Sequence, residues 1–204
     1  MAAWQFLRQS TEAETLVVIG DSAGGYMALS LLKSLQDGAE TQPALCIGLC
    51  PWTDVGTRGA SMETNNNFDM VQGWMALRFG EWLDPQGLHG REALSPINWD
   101  FSELAPLYLQ AGGREMLRDM IVEFAHVQSD NGADVMFDLW DDMPHDFQIY
   151  DSLQTSATQA LQRIAAVVQS VDDGAVLLDF MPGVTQVAHG AFSDPTASSP
   201  MPAN

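Results

Sequence analysis

A glycine-flanked serine stands between an apolar strand and an amphipathic helix, and this junction restricts the chain to few folds. The run Thr15–Ile19 has strand length and leads into Gly20-Asp21-Ser22-Ala23-Gly24-Gly25, after which a helical pattern continues to Leu35. So tight a turn favours small residues two positions before and after the serine, because a β-carbon there would collide with neighbouring backbone. The motif therefore predicts a serine hydroxyl that stands clear of the sheet. An ordinary glycine turn into a helix is the alternative interpretation.

Strands and helices alternate along most of the remaining chain. The predicted elements are strands at 45–49, 106–111 and 135–140 and helices at 4–9, 23–35, 117–129 and 153–171. Between Pro51 and Asp100 turn-forming residues surround one predicted helix, Val71–Trp82, which indicates an excursion above a sheet. Four strands joined by helical crossovers predict an α/β fold with a parallel sheet of about four strands.

Composition limits the domain count and the classes of partner. A chain of 204 residues, 46% hydrophobic, can bury one core, and we expect one domain over residues 1–182 with a disordered tail over 183–204. The formal charge of -19 reflects 27 acidic against 8 basic residues. Nucleic acid and anionic membranes are bound by clustered Lys and Arg, so neither is expected as a partner.

The two cysteines predict neither a disulfide nor a metal site. Cys46 and Cys50 fall four residues apart along a strand, which places them roughly 13 Å apart, too far for a disulfide. No neighbouring His or Cys completes a four-ligand zinc site. The sequence as written also has no basic, apolar leader and no run of 18 apolar residues, so we expect a soluble, cytoplasmic protein without stable membrane insertion.

A serine nucleophile needs a base, and one of the four histidines has the right position for it. His145 follows the last predicted strand and precedes the last helix, at the carboxyl edge where parallel sheets hold their ligands. His126 falls inside a helix, His189 in the predicted tail and His89 in a Gly-rich loop, so these three are expected to be incidental.

The acid that orients the base is expected after the third strand, where two carboxylates occur. Glu115 falls in the loop beyond that strand, and Asp119 lies about one turn into the helix that follows. An Asp near a helix N-terminus is commonly a favourable charge only, so position favours Glu115 and leaves Asp119 as the alternative. The order nucleophile, acid, histidine is that of the α/β-hydrolases. The Ala23 N–H, at the start of the helix, is the expected oxyanion donor.

These segments together resemble the hormone-sensitive lipase family of bacterial esterases, also called α/β-hydrolase fold-3 proteins. The resemblance extends from about Trp4 to Val171. It is carried by the elbow at 20–25 and by Pro51-Trp52-Thr53-Asp54, Ser95-Pro96, Pro106–Gly112, Glu115–Asp119 and Met143-Pro144-His145-Asp146-Phe147. The resemblance implies that Ser22, Glu115 and His145 carry catalysis. Many members have Asp-Pro-Leu where this chain has Glu115-Met116-Leu117.

The chain departs from that family upstream of the elbow. Members have a His-Gly-Gly-Gly oxyanion loop, four strands and a cap there, whereas only 19 residues precede Gly20 and no Gly-Gly pair occurs among them. We therefore expect an N-terminally incomplete α/β-hydrolase domain. Its first strand, Leu16 to Ile19, would then be an apolar sheet edge.

The favoured function is hydrolysis of short-chain carboxylic esters through an acyl-enzyme intermediate, with a small-molecule ester as partner and no metal or organic cofactor. Amides and lactones are alternative substrates, because the same triad hydrolyses them. A catalytically silent ligand- or partner-binding protein is the alternative from another class. A homodimer is compatible with the sequence. Trp52, Phe68, Trp74 and Met75 are candidate pocket walls or, equally, core residues.

Overall fold

Four parallel strands form the centre of the fold, side by side in the order in which they occur in the chain. The computed structural model describes residues 1–13, 15–172 and 184–187. The strands are β1 (Val17–Asp21), β2 (Leu45–Leu49), β3 (Leu107–Gly112), β4 (Val135–Trp140) and β5 (Val184–Val187). β1 to β4 pair in parallel, and β5 adds to β4 in the antiparallel direction. The predicted α/β class is therefore confirmed.

Helices connect the strands and cover both faces of the sheet. They are α1 (Ala2–Ser10), α2 (Ser22–Asp37), α3 (Ser61–Thr64), α4 (Gly73–Leu83), α5 (Arg91–Leu94), α6 (Arg118–Asp130) and α7 (Thr155–Asp172), with 3-10 turns at Pro96–Asn98 and Phe147–Tyr150. Leu32 of α2 and Phe124 of α6 pack in one buried cluster with Leu109 of β3. Ile47 of β2 packs with Val167 of α7 in a second cluster.

The strand boundaries differ from the predictions at the first, third and last strands. β2 and β4 have the predicted bounds, whereas β3 begins and ends one residue later than the predicted 106–111. β1 begins at Val17 and continues through Asp21, where Gly20 and Asp21 pair with Gly48 and Leu49. β5 was not predicted. Its four residues fall within the segment expected to be a disordered tail, and the rest of that segment and residues 173–183 lie outside the described residues.

The first strand forms an edge of the sheet. β1 pairs with β2 on one side, and no second neighbour occurs among the described ranges. Ile19 is 53% exposed, while Val17 and Val18 are half-buried. The predicted apolar sheet edge is thus present.

The segment between β2 and β3 passes over the carboxyl end of the sheet and contains more structure than the one helix predicted there. It carries α3, α4, α5 and a 3-10 turn, and it attaches to the start of α6. The Thr53 hydroxyl donates to the Met120 carbonyl at 3.0 Å, and the Ser61 hydroxyl donates to the Met116 carbonyl at 2.8 Å. We call residues 51–106 the excursion segment.

Within the part of the chain that the structure describes, no helix is both long enough and apolar enough to cross a bilayer.

Candidate active site

Ser22 occupies the tight turn between β1 and α2. Its backbone is in the left-handed region, with φ at 51°, which is uncommon for a non-glycine residue and typical of a strained functional turn. A β-carbon on Gly20 would overlap the carbonyl oxygen of Gly24, and one on Gly25 would lie 2.6 Å from the Cβ of Pro51. The predicted requirement for a small residue therefore holds at Gly20, before the serine. After the serine, Gly25 has less room for a side chain than Gly24, where a β-carbon would meet only the Asp21 carboxylate, at 3.3 Å.

His145 reaches Ser22 from the loop after β4. Its Nε2 lies 2.8 Å from the serine Oγ, and its side chain is 1% exposed. The loop is shaped by two left-handed residues, Asp142 and Asp146, with φ values of 60° and 51°. The chain thereby brings residues 22 and 145 together across 123 positions of sequence.

Glu115 lies on the opposite side of the imidazole. Its Oε2 lies 2.7 Å from His145 Nδ1, and its Oε1 accepts a hydrogen bond from the Gly112 N–H at 2.8 Å. The carboxylate is completely buried and comes from the loop after β3, as its position in the sequence predicts. This contact fixes the ring orientation that points Nε2 at Ser22.

Asp119, the alternative acid, has other partners. It lies in the first turn of α6, where its Oδ2 accepts from the Ser61 N–H at 2.9 Å and its Oδ1 pairs with Arg118 at 2.7 Å. These contacts attach the excursion segment to α6. The geometry thus places Glu115, and not Asp119, against the histidine.

Carboxylates dominate the electrostatics of the site. Burial lowers the pKa of His145, but the hydrogen bond that its ring donates to Glu115 and the negative charges of Glu115, Asp146 and Asp69 outweigh it and raise that pKa to about 9. Burial raises the pKa of Glu115, opposed by its hydrogen bond to His145. Burial also raises the pKa of Asp146 to about 6. Two of these acids, Asp146 and Asp69, were not among the predicted site residues.

Asp146 and Asp69 contact the histidine in different ways. The Asp146 Oδ2 lies 3.4 Å from His145 Nε2, on the side of Ser22. Asp69, in the excursion segment, accepts the backbone N–H of His145 at 3.3 Å. Adjacency to His145 in the sequence could have indicated Asp146. Asp69 also accepts the nearby Val71 N–H at 3.5 Å, but its partners in the site are 47 and 76 residues away, so no sequence signal indicates its position there.

Ala23 is the second residue of α2 and is exposed beside the nucleophile. Backbone N–H groups in the first turn of a helix have no intrahelical acceptor and carry the positive end of the helix dipole. The Ala23 N–H therefore has the position of a donor to an anionic oxygen formed at Ser22. The predicted oxyanion role stays a prediction.

Cys50 completes a group of three metal-ligating side chains with Glu115 and His145. One ligand atom from each lies within 4.8 Å of the others, and all three residues are buried. The Glu115 and His145 atoms are already hydrogen-bonded at 2.7 Å, closer than two ligands of one tetrahedral ion stand. Both cysteines are free, and burial raises the pKa of the Cys50 thiol well above its usual value.

The four residues considered as pocket walls differ in how far they are exposed. Trp52 is 7% exposed, and its ring packs 5.6 Å from that of Tyr26, so it is a core residue. Phe68 and Trp74 are 55% and 63% exposed, and Met75 is half-buried. Trp74 lines a cavity of about 290 Å³ together with Met62 and Leu77.

Two of the other histidines lie among the described residues, and neither is hydrogen-bonded to Ser22 there. His126 lies within α6, and His89 is exposed in the excursion segment. His189 lies outside the described residues.

Comparison with known proteins agrees with the α/β fold of the chain. A family model described as alpha/beta hydrolase fold, Abhydrolase_3, matches residues 1–149. The chain belongs to this family. The resemblance to hormone-sensitive lipase esterases is also confirmed by solved structures. An esterase from the bacterial hormone-sensitive lipase family superposes with a TM-score of 0.74 at 30% identity, over 80% of this α/β-hydrolase chain and 56% of the esterase.

Curated relatives of this α/β-hydrolase are described as hydrolases of esters or acetyl groups. An acetyl-hydrolase from Streptomyces hygroscopicus is 27% identical over 176 residues, which cover 83% of this chain and 58% of the relative. An esterase from Acinetobacter venetianus is 29% identical over 168 residues, which cover 81% of this chain and 55% of the relative. The chain thus spans a little over half the length of these relatives.

Proposed function

We propose that this chain is a serine hydrolase of carboxylic esters with short acyl groups, acting through Ser22, His145 and Glu115. The observation that carries the proposal is the unbroken hydrogen-bonded series from Ser22 Oγ through the imidazole to a buried carboxylate, with steps of 2.8 and 2.7 Å. Family membership and the relatives' descriptions support ester hydrolysis as the reaction class.

In the first half of the reaction, Ser22 Oγ attacks the ester carbonyl carbon while His145 Nε2 takes the hydroxyl proton. The Ala23 N–H stabilises the oxyanion, and Glu115 stabilises the imidazolium through Nδ1. The tetrahedral adduct collapses when the bond to the alcohol oxygen breaks. His145 returns its proton to that oxygen, so the alcohol leaves and the acyl group stays on Ser22.

In the second half, water replaces the serine as nucleophile. His145 Nε2 removes a proton from the water as it attacks the acyl carbonyl. The second adduct collapses with release of the carboxylic acid, and the same proton returns to Ser22 Oγ. Each cycle therefore consumes one ester and one water, and neither half requires a metal or organic cofactor.

The test is hydrolysis of p-nitrophenyl butyrate by the purified chain, after circular dichroism has shown that it is folded. Ser22→Ala is the matched control, because it removes one oxygen atom. We expect release of p-nitrophenol that is lost in the control. A folded chain that neither hydrolyses the ester nor differs from Ser22→Ala would contradict the proposal and favour a silent, ligand-binding protein. p-Nitrophenyl acetate, p-nitrobutyranilide and a lactone in parallel assays distinguish the acyl substrates.

A further inference from the structure

We propose that Asp69 is a positioning residue that holds the loop of Glu115 and the loop of His145 together through one carboxylate. This inference rests on the proposed function, because it assigns Asp69 to the same pair of residues. It adds a second acid to the site, one that acts on the backbone of the pair and has no contact with the serine.

Both carboxylate oxygens of Asp69 bind backbone N–H groups of the site. Oδ2 accepts from the Met116 N–H at 2.6 Å, and Oδ1 accepts from the His145 N–H at 3.3 Å. Met116 directly follows Glu115. One side chain therefore fixes the backbone beside the acid and the backbone of the base. Hydrogen bonds to an ionised acceptor are about twice as strong as neutral ones.

Neighbouring residues of the excursion segment hold the same acid loop. Asn65 Nδ2 donates to the Glu115 carbonyl at 3.0 Å, and the Ser61 hydroxyl donates to the Met116 carbonyl at 2.8 Å. Asp69 extends this attachment to the histidine loop. The excursion segment therefore holds the loops that follow β3 and β4. A change in how it is attached would change the distance between Glu115 and His145.

The two loops also contact each other without Asp69. The Arg114 N–H donates to the Met143 carbonyl at 2.9 Å, and the Gly113 N–H donates to the Trp140 carbonyl at 2.8 Å. Loss of the Asp69 contacts should therefore let Glu115 and His145 move relative to each other without unfolding the sheet. This separates a positioning role from a purely structural one.

The charge of Asp69 also acts on the imidazole. The ionisable groups that face His145 are Glu115 on the β3 loop, Asp146 on its own loop, Asp69 on the excursion segment and the Cys50 thiol after β2. Each carboxylate stabilises the imidazolium. Removal of the Asp69 charge should lower the pKa of His145, since one of three negative charges is lost.

The experiment compares Asp69→Asn with Asp84→Asn in the full chain. Asp84 lies in the same excursion segment, and its carboxylate accepts the backbone N–H groups of Leu88, His89 and Gly90. It is thus a matched carboxylate that supports a loop elsewhere. The readouts are the NMR titration of the His145 imidazole, the low-field resonance of its Nδ1 proton, and kcat and KM for p-nitrophenyl butyrate.

Asp69→Asn is expected to lower the pKa of His145, to broaden or remove the Nδ1 proton resonance, and to reduce kcat about 10- to 100-fold with little change in KM. Asp84→Asn is expected to leave all four readouts at wild-type values. A wild-type titration and kcat in Asp69→Asn would overturn the proposal, as would equal effects of the two variants.

A second variant covers the case in which Asp69→Asn does not fold. Asp69→Glu keeps the charge but displaces the oxygens by one methylene, so it should keep the raised pKa of His145 and still lower kcat. Full kcat in Asp69→Glu would contradict the positioning role. If the wild-type chain hydrolyses no ester, the proposed function fails, whereas the NMR titration of His145 still decides the role of Asp69.

Discussion

The Nδ1 atom of His145 lies 2.7 Å from Oε2 of Glu115, and both side chains are buried. A neutral amide in place of this carboxylate has no charge to stabilise the imidazolium. Its single oxygen would accept the Gly112 N–H, which turns its NH₂ group toward Nδ1 and favours the wrong tautomer. We therefore expect Glu115→Gln to reduce kcat by a factor on the order of 10⁴ while the chain stays folded. The measurement is kcat for p-nitrophenyl butyrate together with a urea unfolding curve.

Asp119→Asn is the control for that variant, because Asp119 contacts Ser61 and Arg118. It should lower the free energy of unfolding by about 1 kcal/mol and leave kcat within a few-fold of wild type. If Asp119→Asn abolished turnover and Glu115→Gln did not, the acid would have been assigned to the wrong carboxylate.

The rate should depend on pH through His145. The imidazole must be neutral to accept the serine proton, and its pKa is raised to about 9. The rate should consequently rise with pH through neutrality, reach half its maximum near pH 9 and level off above that pH. Asp146→Asn removes a carboxylate that lies 3.4 Å from Nε2, so it destabilises the imidazolium and should move this rise to lower pH. A pH profile of kcat/KM for both proteins checks the shift, and an unmoved or alkaline-shifted profile would contradict it.

The elbow should tolerate no side chain at Gly20. A β-carbon there overlaps the backbone of Gly24, whose position is fixed by the first turn of α2. Gly20→Ala should lower the free energy of unfolding by about 3 kcal/mol or more, measured by urea denaturation. Gly87→Ala is the comparison, since nothing lies within 4 Å of a β-carbon at that position and only its φ of 65° opposes the substitution. That variant should lose about 1 kcal/mol. Equal losses would show that the turn adjusts.

A buried ion pair joins α7 to β4 on the face of the sheet away from α6. Arg163 Nε lies 3.1 Å from Asp138 Oδ2, the two side chains are 4% and 1% exposed, and the Tyr108 hydroxyl donates to the same oxygen at 2.6 Å. Arg163→Met leaves a buried, uncompensated carboxylate and should lower the free energy of unfolding by about 3–5 kcal/mol. Arg163→Met combined with Asp138→Leu should recover much of this loss. Chemical denaturation of the three proteins tests it, and a loss below about 1 kcal/mol in the single variant would show that the pair is dispensable.

Much of the central sheet could be predicted from the sequence because β2, β3 and β4 are buried on both faces. Continuous apolar runs gave the bounds of β2 and β4 directly. β1 extends two residues beyond its apolar run because Gly20 and Asp21, which disfavour strands on their own, pair with β2. β5 depends on antiparallel pairing with a strand some 47 residues earlier in the chain, and its short segment carries no distinctive local pattern.

The nucleophile, base and acid of the candidate site each follow a strand, and this position indicated them in the sequence. Ser22, Glu115 and His145 come together because the carboxyl ends of parallel strands meet at one edge. Asp69 could not be found in this way. Besides the adjacent Val71 N–H, it binds backbone N–H groups of two distant loops, and backbone donors leave no signature in the residue types. The short helices α3 and α5 were equally hidden, because each has only four residues and is too short to show a helical periodicity.

The most direct test of the assigned nucleophile is to react the folded chain with a fluorophosphonate. Peptide mass spectrometry then identifies the residue that carries the adduct. A serine that His145 activates should form one covalent adduct, on the peptide that contains Ser22, and Ser22→Ala should form none. His145→Ala should react far more slowly, since the proton of the hydroxyl then has no acceptor at 2.8 Å. An adduct on another residue, or labelling that is unchanged in Ser22→Ala, would contradict the assignment of Ser22 as the nucleophile.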